Sequence, residues 1–292
     1  MEYKSSELVL APDGSLYHIH LTAETLADDV ILVGDPARVD MFKTLFDAIE
    51  HESLNREIHA ITGTYHGHRF TVLSTGMGCD NIDIVATELD AAANIDLQTR
   101  SPRPNHRSLN LIRIGTSGSL QPDIPCGSVV ASRYAIGLDG LMNWYSRELG
   151  MRNEELEMQH AFLSHMESLP VLPYCVECSP TLYSKLKTQN SKLHTGITVT
   201  APGFYGPQGR HIRLAPAIPD LNERLAAFSW NGVPVTNLEM ETSAIYGFAS
   251  ALGHQALTVC LIIANRPTGQ FLNDYHVPMR EVIGNILDAL SS

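Results

Sequence analysis

Apolar residues in this chain gather in short runs, and that limits the fold more than any other feature. The runs are Val30–Val33, Leu111–Ile114, Val129–Ala131, the largely β-branched His194–Ala201, and Ala256–Ala264. Ala256–Ala264 is the longest unbroken one, interrupted only by Thr258, and it falls far short of the roughly 20 residues a membrane helix needs. Runs of this length suit buried strands. Between them lie stretches of helical period. Val39, Phe42, Leu45 and Phe46 follow Pro36, which suits a first helical turn. Ile82, Val85, Ala86, Leu89 and Ala93 follow Asp80, a candidate cap. Glu241–Leu252 and Met279–Leu290 also read as helices, and residues 58–75 as two strands turning near His66-Gly67. Strands alternating with amphipathic helices predict an α/β fold, a sheet covered by helices on both faces.

Two segments break the pattern. Gln98–Ser108 carries Pro102, Pro104, Arg100, Arg103 and Arg107 without a period, which predicts an exposed loop. Residues 139–178 read as irregular. No linker or repeat divides the chain, so one domain over residues 1–292 is expected. Twenty basic against 32 acidic residues give a formal charge of −12, which argues against a nucleic-acid partner. Nothing at the N-terminus reads as a secretory signal, and the five cysteines form no disulfide framework, so a reducing, cytoplasmic setting without membrane attachment is expected. Cys175 and Cys178 form a lone CxxC with no second pair and no histidines at zinc-finger spacing, so no metal ion is expected.

The chemistry gathers at strand ends. Gly34-Asp35-Pro36-Ala37-Arg38 follows the first run, where free N–H groups and an arginine suit an anion, although many ordinary turns look the same. Ser74-Thr75-Gly76-Met77-Gly78 carries the same ambiguity. Arg113 interrupts an apolar strand, which is costly unless the charge is paired with an acidic neighbour or an anion. Thr116-Ser117-Gly118 follows and adds hydroxyl and N–H donors for phosphate. Glu239 and Glu241 flank Met240 at a strand-to-helix junction, where carboxylates can accept from paired sugar hydroxyls. In Phe204-Tyr205-Gly206-Pro207-Gln208-Gly209-Arg210, an amide, a guanidinium and an aromatic ring can read a flat heterocycle.

Taken in order, these segments resemble the nucleoside phosphorylase superfamily, and within it the uridine phosphorylase branch. The similarity runs through Tyr17-His18-Ile19-His20-Leu21-Thr22, residues 34–39, Asn55-Arg56-Glu57, residues 74–78, 113–118 and 204–210, residues 239–242, and Asn265-Arg266. It implies a three-layer αβα sandwich around a mixed, twisted sheet. It implies that Gly34, Arg38, Arg113 and Thr116 bind phosphate, with Arg56 supplied to the neighbouring subunit's phosphate site. It implies that Met240 and Glu241 hold the ribose, with Glu239 beside them and His18 reaching over from the partner. Phe204, Gln208, Arg210 and Ile263 would hold the base, and Arg266 would begin a flap. The catalytic set would be Arg113, Gln208, Arg210 and Glu241.

The implied reaction is reversible phosphorolysis of uridine to uracil and ribose 1-phosphate, with phosphate as co-substrate, no organic cofactor and sites shared across a homo-oligomer. Asn81 stands where related hexamers carry a serine near an intersubunit potassium ion, although Glu57 is present, so that ion is not predicted. Two other classes stay open at this point: a nucleosidase that uses water, and a non-catalytic nucleoside-binding protein.

Overall fold

The computed structural model describes residues 2–145, 152–189 and 193–292. Along the chain run β1 (Asp29–Val33), α1 (Pro36–Lys43), β2 (Ala48–Asn55), β3 (Ile58–Tyr65), β4 (His68–Ser74), α2 (Cys79–Asn94), β5 (Ile95–Asp96), β6 (Ser101–Pro102), β7 (Asn110–Ser119) and β8 (Val129–Gly137). Then come α3 (Asn153–Met166), β9 (Tyr174–Glu177), α4 (Pro180–Gln189), β10 (His194–Thr200), α5 (Leu221–Ala227), β11 (Ser229–Trp230), β12 (Val233–Glu239), α6 (Thr242–Leu252), β13 (Gln255–Asn265), β14 (Gln270–Phe271) and α7 (His276–Ser291).

One mixed sheet carries the fold, in the order β11-β12-β10-β8-β13-β7-β1-β4-β3-β2. β7 lies parallel between β1 and β13, which explains why its residues Leu111, Ile112 and Ile114 are buried. α2 packs on α6 and α4 on α7, and both α6 and α7 touch β13, so helices cover the two faces of the sheet. The α/β expectation of a mixed sheet between helices is therefore met. The sheet also curls, which the sequence did not suggest. β12 pairs with β10 on one side and with β7 at Gly118–Ser119 on the other, closing a ring through β10, β8 and β13. Irregularities between Gly196 and Ile197 and between Ile262 and Ala264 supply the bends such closure needs.

Several local readings are corrected. α2 starts at Cys79 behind the N-cap Gly78, so Asp80 sits in the first turn rather than capping it. α6 begins at Thr242 with Glu241 as its cap residue, and α7 begins at His276. The 139–178 segment is not irregular: it holds α3 and β9, while its residues 146–151 lie outside the described residues. Its core-facing Met158, Phe162 and Met166 recur at a helical period that its polar neighbours hid. The 98–108 loop is mostly exposed as expected, but Ser101–Pro102 pairs with Ile95–Asp96. Among the described residues no helix is long and apolar enough to cross a membrane.

Candidate active site

The carboxyl ends of β1, β4, β7, β12 and β13 converge on one cleft of about 480 Å³. This is where ligands collect in α/β sheets. Gly34, Arg38, Arg113, Thr116, Glu239, Met240, Glu241, Phe204, Gln208, Arg210 and Ile263 all line it.

The first wall comes from β1 and α1. Asp35 caps α1 by accepting from Ala37 N–H at 2.9 Å, and Pro36 supplies the first helical position. That geometry turns Arg38 back beneath the sheet ends, where its Nη1 donates to the Ile114 carbonyl at 3.1 Å. Its Nε has no partner among the described residues. Burial, then the neighbouring Arg113 charge, push the Arg38 guanidinium below its usual range. A cation held this way favours an arriving anion.

Arg113 lies across Gly115, where any β-carbon would collide with its Nη1. Glycine two residues along the strand is thus what lets the guanidinium fold flat against β7. Its Nη2 donates to Glu241 Oε2 and lies 3.4 Å from Glu239 Oε2, and its Nη1 lies 3.7 Å from Cys260 Sγ. Burial opposes the charge, but Glu241 and then Glu239 more than restore it, so Arg113 titrates above its usual range. The acidic-neighbour reading of Arg113 and the anion reading therefore describe the same place. The arginine is paired with glutamates and also faces the cleft beside half-buried Thr116.

Glu241 is held from two sides. Its Oε1 accepts from Gly78 N–H at 2.7 Å, and its Oε2 from Arg113. Met240 offers its carbonyl to Cys79 Sγ at 3.1 Å. The ambiguous 74–78 turn thus belongs to the site through a backbone N–H.

At the other end, the Arg210 guanidinium lies 3.7 Å from the Phe204 ring centroid. Its Nη1 donates to the Phe204 carbonyl and to Gln208 Oε1, both at 2.6 Å. Gln208 is buried, and its carbonyl also accepts from Arg266 Nη1 at 3.2 Å. Burial, then the nearby Arg266, push Arg210 down to about 10. Ile263 reaches the cleft because it is the extra residue of the β13 irregularity, where Ile262 faces Ser117 and Ala264 faces Gly118.

Two expected residues lie elsewhere. Arg56 is exposed in the β2–β3 turn with φ 55°, and His18 Nδ1 lies 2.6 Å from Glu88 Oε1; neither residue lines this chain's cleft. Asn55 Nδ2 donates to the carbonyls of Tyr17 at 3.0 Å and His18 at 3.1 Å, which brings the two segments together on one face. Glu57, Met77 and Phe271 line the cleft and were missed. Glu57 and Met77 stood inside segments already singled out, while Phe271 carried no signal beyond an isolated aromatic.

Asp90, His106 and His254 form a cluster outside the cleft with ligand atoms within 4.8 Å of one another. His254 Nδ1 accepts from Leu109 N–H at 3.2 Å, so the neutral ring carries its proton on Nε2, 3.2 Å from Asp90 Oδ1. The nitrogen that would face a cation is therefore protonated. His106 Nε2 donates to the Leu252 carbonyl at 2.9 Å, which ties the 98–108 loop to the end of α6.

The phosphorylase superfamily model matches residues 28–282, nearly the whole sheet and every cleft residue, and the chain belongs to that family. Within it the protein is a nucleoside phosphorylase, a pentosyltransferase. It is 31% identical over 276 residues to a uridine phosphorylase of Thermococcus kodakarensis, covering 92% of this chain and 84% of that one. It is 26% identical to a DeoD-type purine nucleoside phosphorylase of Anoxybacillus flavithermus, covering 87% and 88%. A solved Trypanosoma brucei nucleoside phosphorylase, described as showing uridine phosphorylase activity, superposes with a TM-score of 0.87 at 30% identity, covering 98% of this chain and all of that one.

Proposed function

We propose that this protein catalyses the reversible phosphorolysis of uridine to uracil and ribose 1-phosphate. The observation that carries the base choice is the state of Gln208. It is buried, its Oε1 is turned to Arg210, and its Nε2 has no partner among the described residues. Unspent amide donors at a cleft wall suit the carbonyl oxygens of a pyrimidine dione, and the amide oxygen keeps a lone pair for a ring N–H. The residues around it, Phe204, Arg210, Ile263 and Phe271, include no acid that would protonate a purine ring nitrogen. Asn265 does not line the cleft. Its Nδ2 donates to the Gln121 and Ile124 carbonyls at 3.0 and 2.9 Å, and its Oδ1 accepts from Thr268.

In this reading phosphate sits against Gly34, Arg38, Arg113 and Thr116, completed by Arg56 of a partner subunit. Met240 and Glu241 hold the ribose, with His18 of the partner. As the glycosidic bond loosens, C1′ becomes cationic and the phosphate oxygen stabilises and then captures it. The electron pair leaves with uracil, whose developing negative charge is met by Arg210 and Gln208. Arg210 has Arg266 for a neighbour, so an anion there relieves repulsion and binds best when charge has developed. No organic cofactor enters.

Measuring kcat/KM for uridine, inosine and cytidine, with and without phosphate, tests the proposal. Uridine is expected to be cleaved only with phosphate, and the others on the order of 10⁴-fold more slowly. Inosine cleaved as well as uridine would overturn the base assignment; equal turnover without phosphate would overturn phosphorolysis in favour of hydrolysis.

A further inference from the structure

Two glutamates border the cleft, and their hydrogen bonds set them apart. A carboxylate has about four lone-pair positions. Glu239 Oε1 accepts from Thr200 Oγ1 at 2.7 Å and from Thr242 N–H at 3.1 Å. Its Oε2 accepts from Glu241 N–H at 2.9 Å and Thr242 N–H at 3.0 Å, with Arg113 Nη2 at 3.4 Å. Four donors of this chain converge on it, with the one Thr242 N–H shared between both oxygens, and they leave no side of the carboxylate open to a ligand. Among the described residues the Glu241 carboxylate accepts only from Gly78 and Arg113, which leaves it room for two hydroxyls.

We infer that Glu239 is a positioning residue: it touches neither nucleoside nor phosphate, and it holds Arg113 and the Met240–Glu241 backbone in place. This rests on the phosphorolysis reading and reassigns Glu239 from the ribose contacts. Burial pushes Glu239 upward, while Arg113 opposes that. The donors decide its state, because a protonated oxygen would face backbone N–H groups that have nowhere else to go. Glu239 is thus an ionised clamp at the amino end of α6.

The clamp extends behind the site. Thr200 Oγ1 accepts from Ser243 N–H at 2.9 Å while donating to Glu239. Ser243 Oγ donates to Asp139 Oδ2 at 2.8 Å, and Tyr174 Oη also donates to Asp139, at 2.9 Å. Strands β9, β10 and β12 therefore all bear on the junction that carries Glu241. Thr200 is the link that joins them to Glu239, and it is too far behind the wall to line the cleft.

The test compares Glu239→Gln, Thr200→Val and Thr200→Ser, with both KM values and kcat measured on uridine, 2′-deoxyuridine and 3′-deoxyuridine. Glu239→Gln is expected to lower kcat/KM by the same factor, about tenfold or more, on all three nucleosides, and to raise the phosphate KM at least about threefold as Arg113 loosens. Thr200→Val should show the same pattern more weakly, and Thr200→Ser, which restores the hydroxyl, should behave as wild type. A larger loss on uridine than on its deoxy analogues would overturn the inference, since it marks a direct ribose contact. So would an unchanged or lower phosphate KM in Glu239→Gln. Should Glu239→Gln not fold, the Thr200 pair decides: valine and serine variants that behave alike would overturn it. Calorimetric titration with inorganic phosphate reads the same clamp without turnover. Wild type inactive on uridine would refute the function reading alone, and weaker phosphate binding by Thr200→Val would still support the clamp.

Discussion

Arg113 sits in a buried strand with two glutamates within reach, so a pairing that stabilises the fold also builds the site. On the proposed phosphorolysis, replacing it with alanine removes a charge-assisted contact to phosphate worth about 1.5–3 kcal/mol. That predicts a roughly tenfold to hundredfold loss in kcat/KM for phosphate, measured by steady-state kinetics. It also strands Glu239 and Glu241 without their counter-charge, which costs about 3–5 kcal/mol of stability. Unchanged phosphate kinetics would refute the assignment, whatever the thermal melt shows. Asn265 gives the opposite kind of case. Asn265→Asp takes away donors from the buried Ile124 carbonyl and the part-buried Gln121 carbonyl and sets a carboxylate against them. An unsatisfied buried group costs about 1–3 kcal/mol, more when charged, so Tm should fall by several degrees. Inosine cleavage should not rise, because the side chain faces the Gln121–Ile124 turn and not the base.

Among elements, the amino end of α2 deserves a direct test. Gly78 has φ 98°, and a β-carbon there would come within 2.8 Å of Asp80 Oδ1. The same residue donates its N–H to Glu241. Gly78→Ala is therefore expected to cost about 1–3 kcal/mol in backbone strain. It should also raise the nucleoside KM more than the phosphate KM, because relief of that strain displaces the backbone N–H that orients Glu241. Melting curves and initial rates on the purified variant check both. The irregularity at Ile263 works at the same scale. One extra residue in β13 turns a core strand's side chain into the cleft, while its neighbours Ile262 and Ala264 stay paired with β7.

At the scale of the whole molecule, a single chain leaves its cleft without Arg56 and His18. Leu54, two residues from Arg56, and Met77, at the cleft wall, are both largely exposed apolar side chains. Such exposure suits an interface between copies. If the site is shared, an Arg56→Ala chain and an Arg113→Ala chain, each impaired alone, should regain activity when mixed. One site of each mixed dimer then receives both native arginines. Absence of rescue, once mixed oligomers are seen by native mass spectrometry, would refute the shared site.

Local pattern along the chain was enough to place the strands, most helices and the positions where chemistry gathers. Short apolar runs and the 3.6-residue period are local properties, and glycine, proline and charge at a strand's end mark a site through local backbone demands. Arg113 announced itself because a charge in an apolar strand needs a partner. Only the tertiary structure named that partner, since Glu239 and Glu241 arrive from a strand more than a hundred residues away. It also separated the saturated carboxylate from the half-free one, a difference set by donors from Thr200, Thr242 and Gly78 that no spacing encodes. The curl that brings β12 to β7, the inward turn of Ile263 and the anchoring of Asn265 in the Gln121–Ile124 turn were decided the same way. Each depends on how strands pair across the sheet, and pairing is a long-range choice that local pattern leaves open.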